Sequence, residues 1–226
     1  MSITIRDLAK KDFTQARHFA IRGMNLKWFV GGRLELYIYS MYFWSLALSR
    51  ATRALGAYEH DKLVGVLLVD MIGQPKAGSS LARRIFVRFV DVLIRYFYDD
   101  STAYEKANAK MLDGLRSRTR PDGELSFFAV HPERNGHGIG TLLLQELSRL
   151  EPGKLIYAFS DSASTYQFYE RRGFIMLSSA EITLSVGQRE VPLTCYLFCK
   201  VLKVDRSAWG GTCCVGEGRP AHGIAT

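Results

Sequence analysis

A strand-like run from Glu124 to Val130 leads into three glycines at alternate positions, Gly136, Gly138 and Gly140, and an apolar helical pattern opens on the last of them. Glycine removes the side chain, so a tight turn of this kind can present backbone N–H groups outward. The helix that follows adds its own unpaired amides and the positive end of its dipole, which together make a seat for phosphate groups. Thr141 lies in the first turn, where its hydroxyl can reach the same anion. The run is not a Walker A loop, because no Gly-Lys-Ser/Thr follows. Nor is it a dinucleotide fingerprint, because its glycines are two apart rather than spaced Gly-x-Gly-x-x-Gly.

The segment Val130-x-Pro132-x-x-Asn135-Gly136-x-Gly138-Ile139-Gly140-Thr141 resembles the acetyl-CoA signature of the GNAT superfamily of N-acetyltransferases, whose core is Gln/Arg-x-x-Gly-x-Gly/Ala. The resemblance implies that Gly136, His137, Gly138, Ile139, Gly140 and Thr141 cradle the pyrophosphate of acetyl-CoA. It also implies that Phe128, Ala129 and Val130 lie along the pantetheine arm. Asn135 stands where the family carries Gln or Arg, with Arg134 beside it. A second stretch, Phe168-Tyr169-x-x-x-Gly173-Phe174, resembles the helix ending in which the family places a tyrosine near the thioester sulfur. Tyr169 is therefore the candidate general acid, with Tyr166 one turn earlier in reserve; Ser162 replaces the asparagine common just upstream.

Transfer to an amine requires a neutral nitrogen, and an ordinary ammonium is almost wholly protonated at neutral pH, so a base or a water relay must take its proton. Glu124 is the carboxylate at the start of the strand that leads to the glycines, and alternation puts it on one face with Ser126, Phe128 and Val130. Asp161, just past the next strand, is an alternative partner for the acceptor's amino group. His131 and His137 read as loop residues.

Around these residues the pattern predicts a strand at Ser2–Arg6, with Asp7 as a helix cap, and helices at Lys10–Met24 and Arg33–Ser49. A hairpin follows, Ala54–Glu59 and Leu63–Met71, whose second strand is apolar on both faces and therefore central. Between residues 73 and 121 two helices are expected as an insertion. The first is basic and amphipathic, with Leu81, Ile85, Phe89, Leu93 and Phe97 four apart; the second runs Thr102–Leu115. Later elements are a helix at Gly138–Leu150, a strand at Leu155–Phe159, a helix at Ser162–Arg172, and strands at Phe174–Val186 and Val191–Leu202. The expected fold is α/β: a mixed, largely antiparallel sheet of seven strands, flanked by helices, with the helical insertion between strands 3 and 4. One domain over residues 1–204 and a flexible tail over 205–226 complete the reading.

The 226 residues carry a net charge of +8, spread along the chain, which suits a phosphate-rich ligand better than a nucleic-acid stripe. The four cysteines form no Cys-x-x-Cys pair, so neither a zinc site nor a disulfide framework is indicated, and Cys195 and Cys199 read as core thiols. No apolar stretch reaches the length of a membrane span. The expected protein is cytoplasmic and metal-free, and it moves an acetyl group from acetyl-CoA to a small-molecule or peptide amine. Nucleic acid is not an expected partner, and the aromatic second helix and the insertion offer surfaces for a homodimer. The rival expectation is a non-catalytic acyl-CoA sensor that acts through the basic helix.

Overall fold

The computed structural model describes residues 2–23, 32–77, 80, 83, 85–89, 103–186 and 189–203. Strand β1 (Ile3–Asp7) leads through a 3-10 turn at Lys10–Asp12 into helix α1 (Phe13–Gly23), and helix α2 (Arg33–Arg50) follows. The hairpin β2 (Arg53–Glu59) and β3 (Lys62–Met71) turns on His60 and Asp61, both at positive φ, as a two-residue hairpin whose twist matches its strands requires. Helix α3 (Ala103–Arg116) precedes β4 (Gly123–Val130), then come α4 (Ile139–Leu150), β5 (Leu155–Asp161), the short α5 (Gln167–Arg171), β6 (Ile175–Val186) and β7 (Arg189–Val201).

The seven strands form one sheet in the order β1-β2-β3-β4-β5-β7-β6, antiparallel except for β4 against β5. The expected mixed seven-stranded architecture is the one observed, and the described helical residues between β3 and β4 fall where the insertion was expected. β3 is buried on both faces. Leu67 and Val69 join a core beneath α4 and α5, whereas Val66 and Leu68 join one beneath α1 and α2. A third cluster packs Met111 and Leu115 of α3 onto Tyr157, Leu193, Cys195 and Leu197. α4 turns Ile139, Leu143, Leu144 and Leu147 inward, the spacing of an amphipathic helix.

Several expectations are corrected. Asp7 caps no helix; it is the last residue of β1, paired with Leu55. The helix expected from Ser162 to Arg172 shrinks to α5, because side chains upstream bond to the backbone instead. The Asp161 carboxylate accepts the Ala163 N–H at 3.0 Å, the Ser164 hydroxyl donates to the Asp161 carbonyl at 2.9 Å, and Ser162 exchanges bonds with Thr194 of β7. Such local bonds compete with helix formation. In the amphipathic segment, residues 85–89 are helical, yet Ile85 and Phe89 face outward (60% and 61% exposed) and Val87 is the buried one. The other stripe positions, Leu81, Leu93 and Phe97, and the tail at 205–226 lie outside the described residues.

Candidate active site

β4 and β5 meet over two residue pairs, Gly123 with Ile156 and Glu124 with Tyr157, and then part. β4 stays paired with β3 along its whole length, so from Leu125 onward only its β5-facing edge is left without a strand. The gap widens into a cavity of about 570 Å³, lined on the α4–α5 side by Phe128, Gly138–Thr141, Phe168 and Tyr169 and on the α3 side by Tyr104, Phe159 and Asp161. Asp161 pairs with Cys195 and Phe159 with Leu197, and both partners belong to the α3 cluster, which fixes the face these two side chains present.

The glycine turn forms one end of this cavity. Gly136 and Gly138 have φ of 83° and 78°, a region that L side chains rarely adopt, and no atom lies within 4 Å of where a Cβ would stand. Gly138 is the N-cap of α4, so the amides of Ile139, Gly140 and Thr141 start the helix without intrahelical partners. Gly140 is needed for a different reason. A Cβ there would meet Phe128 at 2.9 Å and Phe168 at 3.0 Å, and those two rings stack with centroids 4.9 Å apart. The turn is therefore open toward the cavity and tightly packed behind. Arg171 and Arg172 at the end of α5 add positive charge to the same rim, and Arg172 also lies over the Phe168 ring.

Of the predicted cofactor residues, Phe128, Ala129, Val130, Asn135, Gly136, Gly138, Ile139, Gly140 and Thr141 all line the cavity. His137 does not. Its amide is directed at the Arg134 carbonyl (3.4 Å), its ring nitrogen lies 3.1 Å from the Asn135 carbonyl, and it lines a separate hollow with Ser2 and Glu59. Arg134 reaches the cavity wall, but its guanidinium pairs with the buried Glu59 at 2.7 Å. His131 accepts the Glu133 N–H and meets Phe19 edge-on, a structural loop residue as read.

Tyr169 lines the cavity, stacked on Phe198 with centroids 5.4 Å apart and edge-on to Phe174. Burial, with a smaller contribution from Asp161, pushes its phenol far above the ordinary value, so it remains a proton donor. Tyr166 packs on Tyr196 instead.

Glu124 needs a correction of face. A bulge in the β3–β4 ladder, where Leu68 pairs with Phe127 and Val69 with Leu125, leaves Ser126 as an extra residue and reverses the alternation. Glu124 thus lies opposite Phe128 and Val130, on the α3 side and outside the cavity lining. The Tyr157 hydroxyl donates to its carboxylate at 3.1 Å, and burial raises its pKa. Asp161 is the carboxylate that reaches the cavity: it is 8% exposed, and burial raises its pKa despite the backbone amides and the Tyr104 hydroxyl that oppose the shift.

Tyr104, Arg171 and Arg172 were not singled out from the sequence as site residues. The helix bearing Tyr104 reads as polar, and only its packing on β7 turns that residue toward Asp161. Cys195 and Cys199 are free, buried thiols, as expected.

The site is thus a strand running into a glycine turn and helix, beside a parallel neighbour that splays away. Residues 102–176 match the family model described as an acetyltransferase (GNAT) domain. Among solved structures, the chain is similar to NAA60 of Arabidopsis thaliana. The complex with a bisubstrate analogue aligns at 11% identity and TM-score 0.53, covering 88% of this chain and 98% of that one. The complex with acetyl-CoA aligns at 14% identity and TM-score 0.50, covering 88% and 99%. A histone acetyltransferase HPA2 and related acetyltransferase of Corynebacterium glutamicum aligns at 17% identity and TM-score 0.51, covering 87% and 96%. A mosquito protein from Aedes aegypti, provisionally named arylalkylamine N-acetyltransferase 7, aligns at 16% identity and TM-score 0.55, covering 89% and 88%. No curated protein matches the chain in sequence. Residues 102–176 thus carry the match to an acetyltransferase (GNAT) domain, on a fold shared with these solved acetyltransferases.

Proposed function

We propose that this protein transfers the acetyl group of acetyl-CoA to a primary amine by direct attack, with both reactants held at once in the cavity between β4 and β5. The observation that carries this reading is the parting of β4 from β5 after two residue pairs, with the open glycine turn at one end of the gap and Tyr169 and Asp161 beside it.

The residues present fit the cosubstrate. The amides of Ile139, Gly140 and Thr141 would bind the pyrophosphate, with the space in front of Gly136 and Gly138 receiving its oxygens. The unpaired edge of β4 from Phe128 to Val130 would hold the pantetheine arm through backbone bonds. When bound, acetyl-CoA supplies an activated acyl group as its thioester.

The chain's own work is positioning, charge stabilisation and proton movement. The acceptor's ammonium gives up a proton, and its nitrogen lone pair then forms a bond to the thioester carbonyl carbon. The C–S bond breaks with its electron pair leaving on sulfur, Tyr169 gives its proton to that sulfur and regains one from solvent, and the amide nitrogen loses its second proton to solvent. Glu124, outside the cavity wall, acts as a base only through an intervening water, and its raised pKa moves it toward the range useful for that task.

The named relatives include a histone acetyltransferase and an arylalkylamine N-acetyltransferase, so they do not choose the acceptor. The test is calorimetric titration with acetyl-CoA of the wild type and a Gly138→Glu variant, followed by thiol release with a panel of amines. Micromolar binding lost in the variant, with turnover on at least one amine, supports the reading. Binding without turnover on any amine favours the non-catalytic acyl-CoA sensor.

A further inference from the structure

The two ends of the cavity carry opposite charge. Arg171 and Arg172 line it toward the glycine turn, where phosphates belong, beside an Arg134 already paired with Glu59. At the other end, on the α3 side, Asp161 is the one carboxylate among the described lining residues. On the α3 side the side chains next to Asp161 are the rings of Tyr104 and Phe159, while Ser160, Ser164 and Thr165 line the wall beside it. Tyr104 hydrogen-bonds it at 3.4 Å, Phe159 precedes it on the same strand face, and the Phe159 ring is edge-on to Tyr157 at 5.6 Å. The charged and titratable groups that face Asp161 come from four elements: Tyr104 of α3, Cys195 of β7, Tyr39 of α2 and Tyr169 of α5. None of these is a cation, so among the described residues no basic side chain faces this buried carboxylate.

We infer that the acceptor is a monoamine carried on an aromatic or similarly flat apolar body, and that Asp161 and Tyr104 are the residues that select it. This rests on the acetyl-transfer reading given above and names its substrate class. One carboxylate beside the rings of Tyr104 and Phe159 matches one positive charge. A polyamine would leave its further ammonium groups against apolar rings and toward the arginines, where they are desolvated or repelled. A cation beside aromatic faces gains cation–π attraction in addition to the ion pair. Amino acids fit poorly as well, because their carboxylate would approach Asp161 together with the amine.

Asp161 touches the ammonium directly, whereas Glu124 does not line the cavity. Its carboxylate orients the nitrogen toward the gap between β4 and β5 and lowers the cost of removing the cation from water. Tyr104 acts through its ring as a wall and through its hydroxyl as a brace for Asp161. The insertion thereby contributes to acceptor choice, since α3 belongs to it.

The experiment measures kcat/KM by thiol release with phenethylamine, tryptamine, spermidine, glycine and an alanine-starting hexapeptide. The same measurements are made on Asp161→Asn and Tyr104→Ala, with acetyl-CoA affinity determined for each protein. Aromatic monoamines should exceed spermidine and glycine by about 100-fold, the worth of a desolvated charge-assisted contact. Asp161→Asn should lose about the same factor on the best amine while acetyl-CoA affinity stays within a few-fold. Tyr104→Ala should raise KM for aromatic amines more than it lowers kcat. Spermidine, glycine or the peptide as the best wild-type substrate overturns the inference even if both variants misfold. Undiminished activity in Asp161→Asn overturns it too. If the wild type does not bind acetyl-CoA, the acetyl-transfer reading itself falls and takes this inference with it; normal binding with the wrong amine preference removes only the inference.

Discussion

The two ends of the cavity are built on different principles. At the glycine turn the groups aimed inward are backbone amides, held by the positive φ of Gly136 and Gly138 and by the start of α4. At the α3 end they are side chains, Asp161 from the last residue of β5 and Tyr104 from an inserted helix. A backbone site tolerates almost any change that preserves its dihedral angles and open space. A side-chain site is rewritten by one substitution. The contrast makes the two ends separable by mutation.

The largest expected effect breaks the backbone end. Gly138→Glu places a charged side chain at a φ of 78° in front of the phosphate seat, and acetyl-CoA affinity measured by calorimetry should fall by more than about 100-fold. Tyr169→Phe comes next. It keeps the stacked ring and removes the proton donor, so kcat should drop by about 100-fold with acetyl-CoA affinity nearly unchanged. Full activity in that variant would remove Tyr169 from the mechanism.

Glu124→Gln should have a smaller effect, a fall in kcat of about tenfold, because a water relay can draw on other acceptors. The pH profile sharpens the comparison further. Burial raises the pKa of both Asp161 and Glu124, and the proposed roles require each as its carboxylate, so kcat/KM should fall on acidification at a higher pH than ordinary carboxylates would give. Tyr169 acts as its neutral phenol, which burial stabilises, so no loss from its ionisation is expected on the alkaline side up to pH about 10. A low-pH limb that persists unchanged in both Asp161→Asn and Glu124→Gln would assign it to some other group. The smallest effect belongs to packing: Gly65→Ala would bring a Cβ to 2.9 Å from Ile139 and 3.2 Å from Leu143, and should cost about 1–3 kcal/mol of stability without changing amine preference.

What could be read from the sequence divides along the same line. The glycine turn was legible because its conformation demands glycine, and that demand is written in residue type. The hairpin of β2 and β3 and the two-faced burial of β3 were legible from local pattern. Glu124's face was not, since a single extra residue at Ser126 reverses alternation without altering the apparent period. The short α5 was over-extended because Asp161 and Ser164 look compatible with a helix until their side chains are seen bonding the backbone. Tyr104 was missed because its burial depends on β7, far away in sequence.

The gap between β4 and β5 has walls on both faces of the sheet: Thr141, Phe168 and Tyr169 belong to one, Phe159 and Asp161 to the other. The proposed transfer holds both reactants in that gap at once, so initial-rate plots with both varied should intersect rather than run parallel. The same layout gives a linked inhibitor its shape: a narrow waist between β4 and β5, an anionic head at the arginines and glycines, and a cationic head beside Asp161.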